Sequence, residues 1–352
     1  MHIYSVTPES MSSFEEFDED FRTRLTRAAA GYERAGWSGV LVPHNLHEVD
    51  PWVVAAYLGS VTDRLLPLIA VQPSSLPPHT AAAMASAYAT LYGRPLHFNL
   101  VAGAREDELR STGDLLGHDE RYERLLVYGR VLRGLLAGEE VSEEGPHYRY
   151  ERFRLEPRPE VLARCLLFVA GSSPASLRVA KEVADVVITH PAPYPEWERD
   201  VLEPLLADGY RGAFGIRVGV IARSDPLEAW RTARDRFPET WRGRQETLLK
   251  TLSQNNWSRQ LATRAVAEES APDASKVPDP YWLGAFRNGR ASAPFLVGSH
   301  EDVGARLGAY LAAGVEHVLL NGSYETDHED INRAFEVARR HTVRPGRGEE
   351  NE

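Results

Sequence analysis

The chain has 352 residues, of which 43% are hydrophobic and 26% are charged, and this composition is typical of a folded globular protein. Its formal net charge of −11 argues against nucleic acid or a membrane surface as a partner, because phosphate backbones and anionic lipids attract basic faces. Cys165 is the single cysteine, which excludes an internal disulfide and thiolate metal sites within one chain.

Short apolar runs alternate with longer amphipathic segments along the chain. Runs rich in valine, isoleucine and leucine without polar alternation predict strands that are buried on both faces. In chain order, the predicted strands are His2–Val6, Gly39–Val42, Leu65–Val71, His97–Val101, Leu166–Ala170, Val186–Thr189, Gly215–Ile221 and His317–Leu320. Helices are predicted at Glu15–Ala35, Pro51–Ser60, His79–Tyr92, Arg121–Leu136, Pro174–Val183, Pro195–Ala207, Pro226–Arg236, Asp302–Ala313 and Glu329–Arg340.

Eight strands, each followed by a helix, predict an α/β fold: a closed (β/α)8 TIM barrel that forms one domain over residues 1–343. A doubly wound open sheet is the alternative. Residues 138–159 alternate in polarity about a Glu-Gly-Pro turn and predict a hairpin inserted before strand five. Residues 237–295 are too many for one helix and its loops, and they predict a mobile lid after strand seven, above all at Glu268–Pro280. The polar tail at 344–352 is predicted to be disordered.

The chain lacks the usual signals for export or for insertion in a membrane. No apolar run approaches the roughly 18 residues that a spanning helix requires. The first residues show no basic stretch followed by an apolar one, so no signal peptide is predicted. We therefore expect a cytoplasmic protein.

The residues after strand five predict an anion site. Barrel enzymes carry their active sites at the carboxyl ends of the strands, and Gly171-Ser172-Ser173 lies at such an end, ahead of a helix that begins at Pro174. The glycine permits close approach of the backbone, while the free N–H groups of the helix, its dipole and two hydroxyls suit a phosphate. The alternative is plain capping of the helix by Ser173.

Other polar residues near strand ends leave more than one interpretation open. His44, His47 and Glu48 share the loop after strand two, but no His-x-His pattern occurs on a strand. We therefore favour hydrogen-bonded histidines over a metal-dependent barrel hydrolase, and we expect no metal. Arg217 lies in an otherwise apolar strand, where an unpaired cation is costly, so either an anionic ligand or a buried ion pair is expected beside it.

Seven short segments follow one another in a specific order, at Gly36–Pro43, Asp50–Ala56, Phe98–Gly103, His118–Glu123, Gly171–Ser173, Phe214–Arg217 and Leu296–Ser299. As an ordered set they resemble the luciferase-like flavin-dependent monooxygenases, in particular the FMNH2-dependent alkanesulfonate monooxygenase branch. The resemblance implies that reduced FMN lies across the barrel mouth and that a separate NAD(P)H:flavin reductase supplies it. In the family, the bound cofactor and O2 form a flavin C4a-(hydro)peroxide, which oxygenates a small molecule without a metal.

The resemblance also assigns roles to residues of this chain. The implied cofactor-binding residues are Ala70, Asn99, Val101, His118, Tyr122, Gly171, Ser172 and Ser173. The candidate substrate and lid residues are Trp52, Arg287 and Arg290. The candidate catalytic residues are Glu48, Arg217, Tyr324 and His44. A non-prolyl cis peptide bond is implied near Ala70-Val71, and homodimers or homotetramers are common in the family.

The substrate end of the site departs from the sulfonate branch. Glu48 stands where sulfonate-cleaving members have a cysteine, and Gly219 stands where they have a histidine. Tyr324 matches the strand-eight tyrosine with a shift of one residue. A gained carboxylate favours a substrate with an amine or another cation. The alternatives are alkanesulfonate desulfonation with Arg217 as the anion anchor, F420-dependent hydride transfer, and a flavin-binding barrel without catalysis.

Overall fold

The structure of the chain is a computed structural model. It describes residues 1–10, 18–103, 106–253, 256–267 and 279–342. Most of the predicted lid segment Glu268–Pro280 and the predicted disordered tail at 344–352 lie outside the described residues, and so do the first residues of the predicted helix Glu15–Ala35.

Twelve strands and fourteen α-helices occur in the described residues. The strands are β1 His2–Val6, β2 Gly39–Val42, β3 Leu66–Val71, β4 His97–Leu100, β5 Val141–Glu144, β6 Arg149–Phe153, β7 Leu167–Ala170, β8 Val186–Thr189, β9 Ala213–Arg223, β10 Tyr281–Trp282, β11 Phe295–Ser299 and β12 Val315–Leu320. The helices are α1 Phe21–Arg34, α2 Pro51–Val61, α3 Pro78–Tyr92, α4 Glu106–Ser111, α5 His118–Ala137, α6 Pro174–Val183, α7 Tyr194–Trp197, α8 Glu203–Ala207, α9 Pro226–Arg236, α10 Trp241–Lys250, α11 Asn256–Ala267, α12 Gly284–Arg287, α13 His300–Ala312 and α14 His328–Thr342.

Eight parallel strands among these close into the predicted barrel. Their order is β1-β2-β3-β4-β7-β8-β9-β12, and β12 pairs with β1 again, for example at His317 and His2. The hairpin β5–β6 precedes β7, as the alternation of residues 138–159 predicted. None of the described helices combines the length and apolarity needed to cross a membrane.

Side chains fill the interior of the barrel. Tyr4, Leu41, Leu68, Phe168 and Leu319 belong to one cluster of buried apolar residues inside it. A packed interior leaves ligands to bind at the mouth, which is the carboxyl end of the barrel strands.

Histidines lie at the opposite, amino-terminal end of the barrel. The His317 ring stacks on His2 with ring centroids 4.9 Å apart, and the rings of His97 and His317 both contact Phe168. Burial lowers the pKa of His97 to about 4 and, helped by the neighbouring histidines, the pKa of His317 to about 3. These two histidines are therefore neutral parts of the core at physiological pH.

The strand β9 is longer than predicted, because it pairs with two sets of neighbours. Its first half pairs with β8 and β12, while residues 219–223 pair with β11, which was not predicted as a strand. The insertion at residues 237–295 includes α10, α11, β10 and α12, and β10 pairs with β11 in antiparallel orientation.

Three local predictions were wrong. The first helix begins at Phe21 rather than at Glu15, because the Asp20 carboxylate caps it by accepting from the Thr23 N–H at 3.0 Å. The predicted helix Pro195–Ala207 is interrupted by a π-helical turn at Glu198–Leu202. The expected non-prolyl cis peptide near Ala70-Val71 is absent: the cis bond among the described residues is Glu156-Pro157.

Candidate active site

The turn Gly171-Ser172-Ser173, called the glycine–serine turn below, connects β7 to α6. Gly171 has a φ of +142°, and a Cβ at this position would lie 2.7 Å from the Ser176 side chain, so only glycine fits. Ser173 caps α6: its hydroxyl oxygen accepts from the Ser176 N–H at 3.2 Å. The predicted capping is confirmed. Pro174 has no N–H, and the N–H groups of Ser176 and Leu177 donate to Ser173, so the Ala175 N–H is the one in the first helical turn that remains for an anion.

Two residues of α5 approach this turn, as the resemblance implied. The Tyr122 hydroxyl lies 3.5 Å from where a Cβ on Gly171 would stand. Burial raises the pKa of Tyr122, so the phenol is a neutral donor at physiological pH. The His118 ring lies 4.9 Å from the Tyr122 ring, and its Nδ1 is 2.7 Å from the Asp119 carboxylate. The structure thus brings the implied phosphate ligands together.

A cleft of about 640 Å³ opens beside the glycine–serine turn. Its lining includes Arg110, Arg121 and Arg259 as well as His118 and Ser173. Arg121 is only 6% exposed, and it keeps a buried Nε without a hydrogen-bond partner in the described part of the chain. The cleft therefore offers cationic groups next to the turn, although acidic residues line it as well.

The insertion covers part of this region through α11. The Asn256 side-chain amide donates to the carbonyl oxygen of Ser172 at 3.4 Å and lies 3.3 Å from its hydroxyl oxygen. One residue further along, the indole ring of Trp257 stacks on the His190 ring with centroids 3.9 Å apart and an interplanar angle of 11°. Sequence reasoning missed Asn256 and Trp257, because only the tertiary fold brings them to the mouth.

Asn99 lies at the mouth beside another implied cofactor residue. Ala70 in β3 pairs with Asn99 in β4, and both are at least nine-tenths buried. The Oδ1 atom of Asn99 is buried without a partner among the described residues. Val101 follows β4, and its N–H donates to the Val71 carbonyl at 3.1 Å. An unpaired buried amide oxygen is costly, which is consistent with a site that a ligand completes.

Arg217 projects from β9 without a carboxylate partner in the described part of the chain. Its Nη2 donates to the Asn321 side-chain oxygen at 2.9 Å, while its Nε is buried and unpaired. Burial lowers the pKa of Arg217 to about 10, so the guanidinium stays cationic at physiological pH. Of the two expectations for this residue, a buried ion pair is not found in the described part of the chain, and an anionic ligand stays a prediction.

His190, the first residue after β8, lies close to Arg217. Its Nε2 is buried without a partner in the residues that the structure describes. Burial, and to a smaller extent the charge of Arg217, holds the pKa of His190 well below its usual value. No local pattern singles out this histidine, since its stacking partner Trp257 is remote in sequence.

The loop after β2 carries the candidate residues Glu48 and His44. The Glu48 carboxylate accepts from the N–H of Ser10 at 2.6 Å and from its hydroxyl. It thus joins the first loop to the second, a structural role beside the proposed recognition of a cation. His44 is half-buried. Desolvation lowers its pKa, although the negative charges of Asp50 and Glu108 act in the opposite direction.

Gly219 explains one departure from the sulfonate branch. A Cβ at this position would lie 2.3 Å from a ring carbon of Phe295 on the paired strand β11. A histidine therefore does not fit there while Phe295 packs on β9.

Trp52 and Tyr324 were predicted at the substrate end. Trp52 in α2 packs edge-on against Phe98 of β4, with ring centroids 6.2 Å apart. Tyr324 is 44% exposed, and the Arg236 guanidinium lies over its ring at 4.1 Å. The surroundings of Tyr324 are thus those of a surface cation–π pair.

The two candidate lid arginines lie in and just after α12. The Nη2 of Arg287 is 3.9 Å from a Glu239 oxygen, and the Arg287 side chain is mostly buried. Arg290 is partly buried, and its backbone N–H donates to the Ala285 carbonyl at 3.0 Å. Which of the two arginines faces a ligand stays a prediction.

Comparison with known proteins decides the family. Residues 6–317 match the family model of luciferase-like monooxygenases. The 4-(gamma-L-glutamylamino)butanoyl-[BtrI acyl-carrier protein] monooxygenase BtrO of Niallia circulans is 34% identical over 321 residues, which cover 90% of this chain and 92% of BtrO. The chain belongs to the luciferase-like monooxygenase family. The predicted enzyme class, a flavin-dependent monooxygenase, is confirmed.

Solved structures of luciferase-like monooxygenases and related proteins share the fold. EDTA monooxygenase EmoA from Chelativorans sp. BNC1 superposes with a TM-score of 0.70 at 16% identity, covering 97% of this chain and 94% of EmoA. The coenzyme F420-dependent tetrahydromethanopterin reductase from Methanopyrus kandleri gives a TM-score of 0.63 at 13% identity, covering 94% and 96%. At these identities the likeness shows the barrel alone. Among the described residues, no group of three or more histidine, cysteine or acidic side chains is arranged to hold a metal ion.

Proposed function

We propose that this luciferase-like monooxygenase uses reduced FMN, supplied by a separate NAD(P)H:flavin reductase, and O2 to oxygenate a small organic substrate. The observation that carries the proposal is the glycine–serine turn. Gly171 has no Cβ, so the backbone of the turn is accessible to a ligand. Ser173 caps a ten-residue helix, and Tyr122 lies against the turn. Hydroxyl donors, the Ala175 N–H and a positive helix dipole together suit the phosphate of FMN.

The rest of the mouth fits a flavin as well. Asn99 offers a buried amide oxygen without a partner in the described residues, and the flavin ring and its ribityl chain have N–H and O–H donors that match it. Bound reduced flavin would supply the electrons for the activation of O2, while the protein positions the substrate and excludes water. Trp257 and Asn256 of α11 contribute to this exclusion, because they cover His190 and the glycine–serine turn.

For the substrate, we propose an acyl group carried as a thioester. BtrO acts on an acyl group attached to an acyl-carrier protein, and it shares 34% identity with this chain over nearly its whole length. The unpaired Arg217 supports this class, since its guanidinium can donate to a carbonyl oxygen. The substitution of glycine for the histidine of the sulfonate branch at position 219 argues against desulfonation.

Anaerobic titration separates FMN from the deazaflavin alternative. We expect FMNH2 to saturate the protein at micromolar concentrations, riboflavin to bind more weakly because it lacks the phosphate, and reduced F420 to transfer no hydride. Admission of O2 to the FMNH2 complex should then give an oxygenated product from an acyl thioester. Failure of FMNH2 to bind, or turnover with F420 in the absence of O2, would overturn the proposal.

A further inference from the structure

Two unpaired polar atoms lie buried at the barrel mouth, on side chains from the neighbouring strands β8 and β9. His190 Nε2 and Arg217 Nε have no hydrogen-bond partner in the described part of the chain and almost no contact with solvent. Buried polar groups without partners are costly and rare in native proteins. The pair is therefore best explained by a ligand atom that it binds.

The fold holds both side chains in defined orientations. Thr189 pairs with Ile216 between β8 and β9, so the next residues, His190 and Arg217, lie on adjacent strands at a similar height. Asn321 accepts from the Arg217 Nη2 at 2.9 Å, and the Trp257 ring fixes the plane of the imidazole from 3.9 Å. Such support allows a binding group to act without reorganisation.

The charges of the two groups favour one kind of ligand atom. The guanidinium is a cation and donates only, and burial near this cation keeps the imidazole neutral. We assign the proton of this neutral imidazole to Nε2, which makes it a second donor. Two donors with a single positive charge suit an uncharged oxygen with two lone pairs, which is a carbonyl oxygen.

We propose that His190 and Arg217 bind the carbonyl oxygen of an acyl substrate, and that His190 sets the specificity for this carbonyl. The inference rests on the proposed function, from which the acyl class comes. Hydrogen bonds from both residues would orient the acyl chain at the mouth and stabilise negative charge that develops on its oxygen. His190 thus acts as a substrate-binding residue of the same site.

A pair of ligands that differ only in the carbonyl tests this role. Butanoyl-pantetheine, a thioester, and S-butyl-pantetheine, the thioether with CH2 in place of C=O, are titrated calorimetrically into FMN-saturated protein. We expect the wild-type protein to bind the thioester about tenfold more tightly, the fold-change of one well-formed hydrogen-bonded contact. His190→Phe keeps a ring for Trp257 to stack on but has no nitrogen, and it should reduce the preference to about threefold, because Arg217 still donates to the carbonyl oxygen.

His190→Gln and His79→Phe complete the comparison. The glutamine variant retains a side-chain N–H donor and should keep part of the preference, which a purely structural role of the histidine would not predict. His79 lies in α3, where its Nδ1 is 2.9 Å from the Tyr150 hydroxyl, so His79→Phe is a matched control that should keep the full preference.

The proposal would be overturned if His190→Phe bound both ligands with the wild-type ratio. It would also be overturned if the variant lost FMN rather than the thioester preference, since the pair would then serve the cofactor, or if wild-type protein bound neither ligand. Oxygenation with FMNH2 and O2 is measured separately on the wild-type protein. Failure of His190 alone is thereby distinguished from failure of the proposed function.

Discussion

The substitution Ser173→Ala separates the two roles that the structure gives to this residue. The Ser173 hydroxyl oxygen accepts from the Ser176 N–H at 3.2 Å and caps α6. The residue is 8% exposed and lies in the turn that we assign to the FMN phosphate. Alanine removes both interactions but leaves the glycine and the backbone of the turn in place.

The two losses differ in magnitude and in the measurement that reports them. Loss of a serine cap destabilises a protein by about 1 kcal/mol, so the free energy of unfolding should fall by this amount. Loss of a hydrogen bond to a charged group weakens binding by about 1.5–3 kcal/mol, which corresponds to a decrease in FMN affinity of about 10- to 150-fold. Riboflavin has no phosphate, and its affinity should change by less than about threefold.

Ser299→Ala provides the matched control. Ser299 caps α13 by accepting from the Asp302 N–H at 3.0 Å, so its loss has the same effect on a helix end. Urea unfolding should show a similar destabilisation for both variants, while fluorescence titration should show a lower FMN affinity only for Ser173→Ala. Equal FMN affinity in the two variants, or an equal loss of FMN and riboflavin in Ser173→Ala, would refute the assignment of the phosphate site.

Three further predictions concern stability and the mouth. Asp327→Asn should lower the free energy of unfolding by roughly 3–5 kcal/mol, and the melting temperature with it, because the fully buried Asp327 carboxylate forms ion pairs with Arg223 and Arg236 at 2.6 Å. In the unfolded protein, His97 and His317 bind protons below about pH 6.5. In the folded protein, burial lowers the pKa of His97 to about 4 and that of His317 to about 3. The free energy of unfolding should therefore fall with pH in this window, for His97 by up to about 3 kcal/mol at pH 4, as urea titrations would show. Trp257→Ala should raise the pKa of His190 in an NMR titration, because water reaches the uncovered ring.

Each of these three predictions has a contradicting result. An unchanged melting temperature in Asp327→Asn would mean that the ion-pair cluster is not needed for stability. The variant His97→Gln should show a shallower loss of stability below pH 6.5, and an unchanged slope would contradict the assignment to this residue. An unchanged His190 titration in Trp257→Ala would show that the strands, rather than α11, bury the imidazole.

The barrel was predictable because its strands are apolar runs in which polar residues do not alternate with apolar ones. Gly39–Val42 and Val186–Thr189 are buried along their whole length, and both were predicted with the bounds that the structure has. The apolar run Phe295–Ser299 was not recognised as a strand, because its partner is the second half of a strand already assigned to the barrel. Pairing of this kind depends on tertiary structure rather than on local pattern.

The sequence contains signals for two helix boundaries that the predicted helices did not follow. Asp20 accepts from the N–H of Thr23, three residues further on, and an aspartate at this position is an N-cap signal that places the start of the helix at Phe21. Pro204 lies inside the predicted helix Pro195–Ala207, and proline lacks the N–H that a continuous helix needs. The structure places Pro204 in the first turn of α8, after the π-helical turn.

The candidate site was predictable where it depends on strand ends. Asn99 and Arg217 lie on barrel strands and Gly171 follows one, and the closed barrel brings them to one mouth. The contributions of Asn256 and Trp257 were not predictable, since nothing local connects an insertion after strand seven with the turn after strand five. The hydrogen bond and the ring stack that join them exist only in the folded chain.

Isotope labelling tests the central claim most directly. The protein, reduced FMN and an acyl thioester are mixed under 18O2, and the product is analysed by mass spectrometry. The proposed monooxygenation predicts a product that carries one 18O atom and appears only when FMNH2 is present. A product without the label, or turnover that proceeds without O2, would contradict the account.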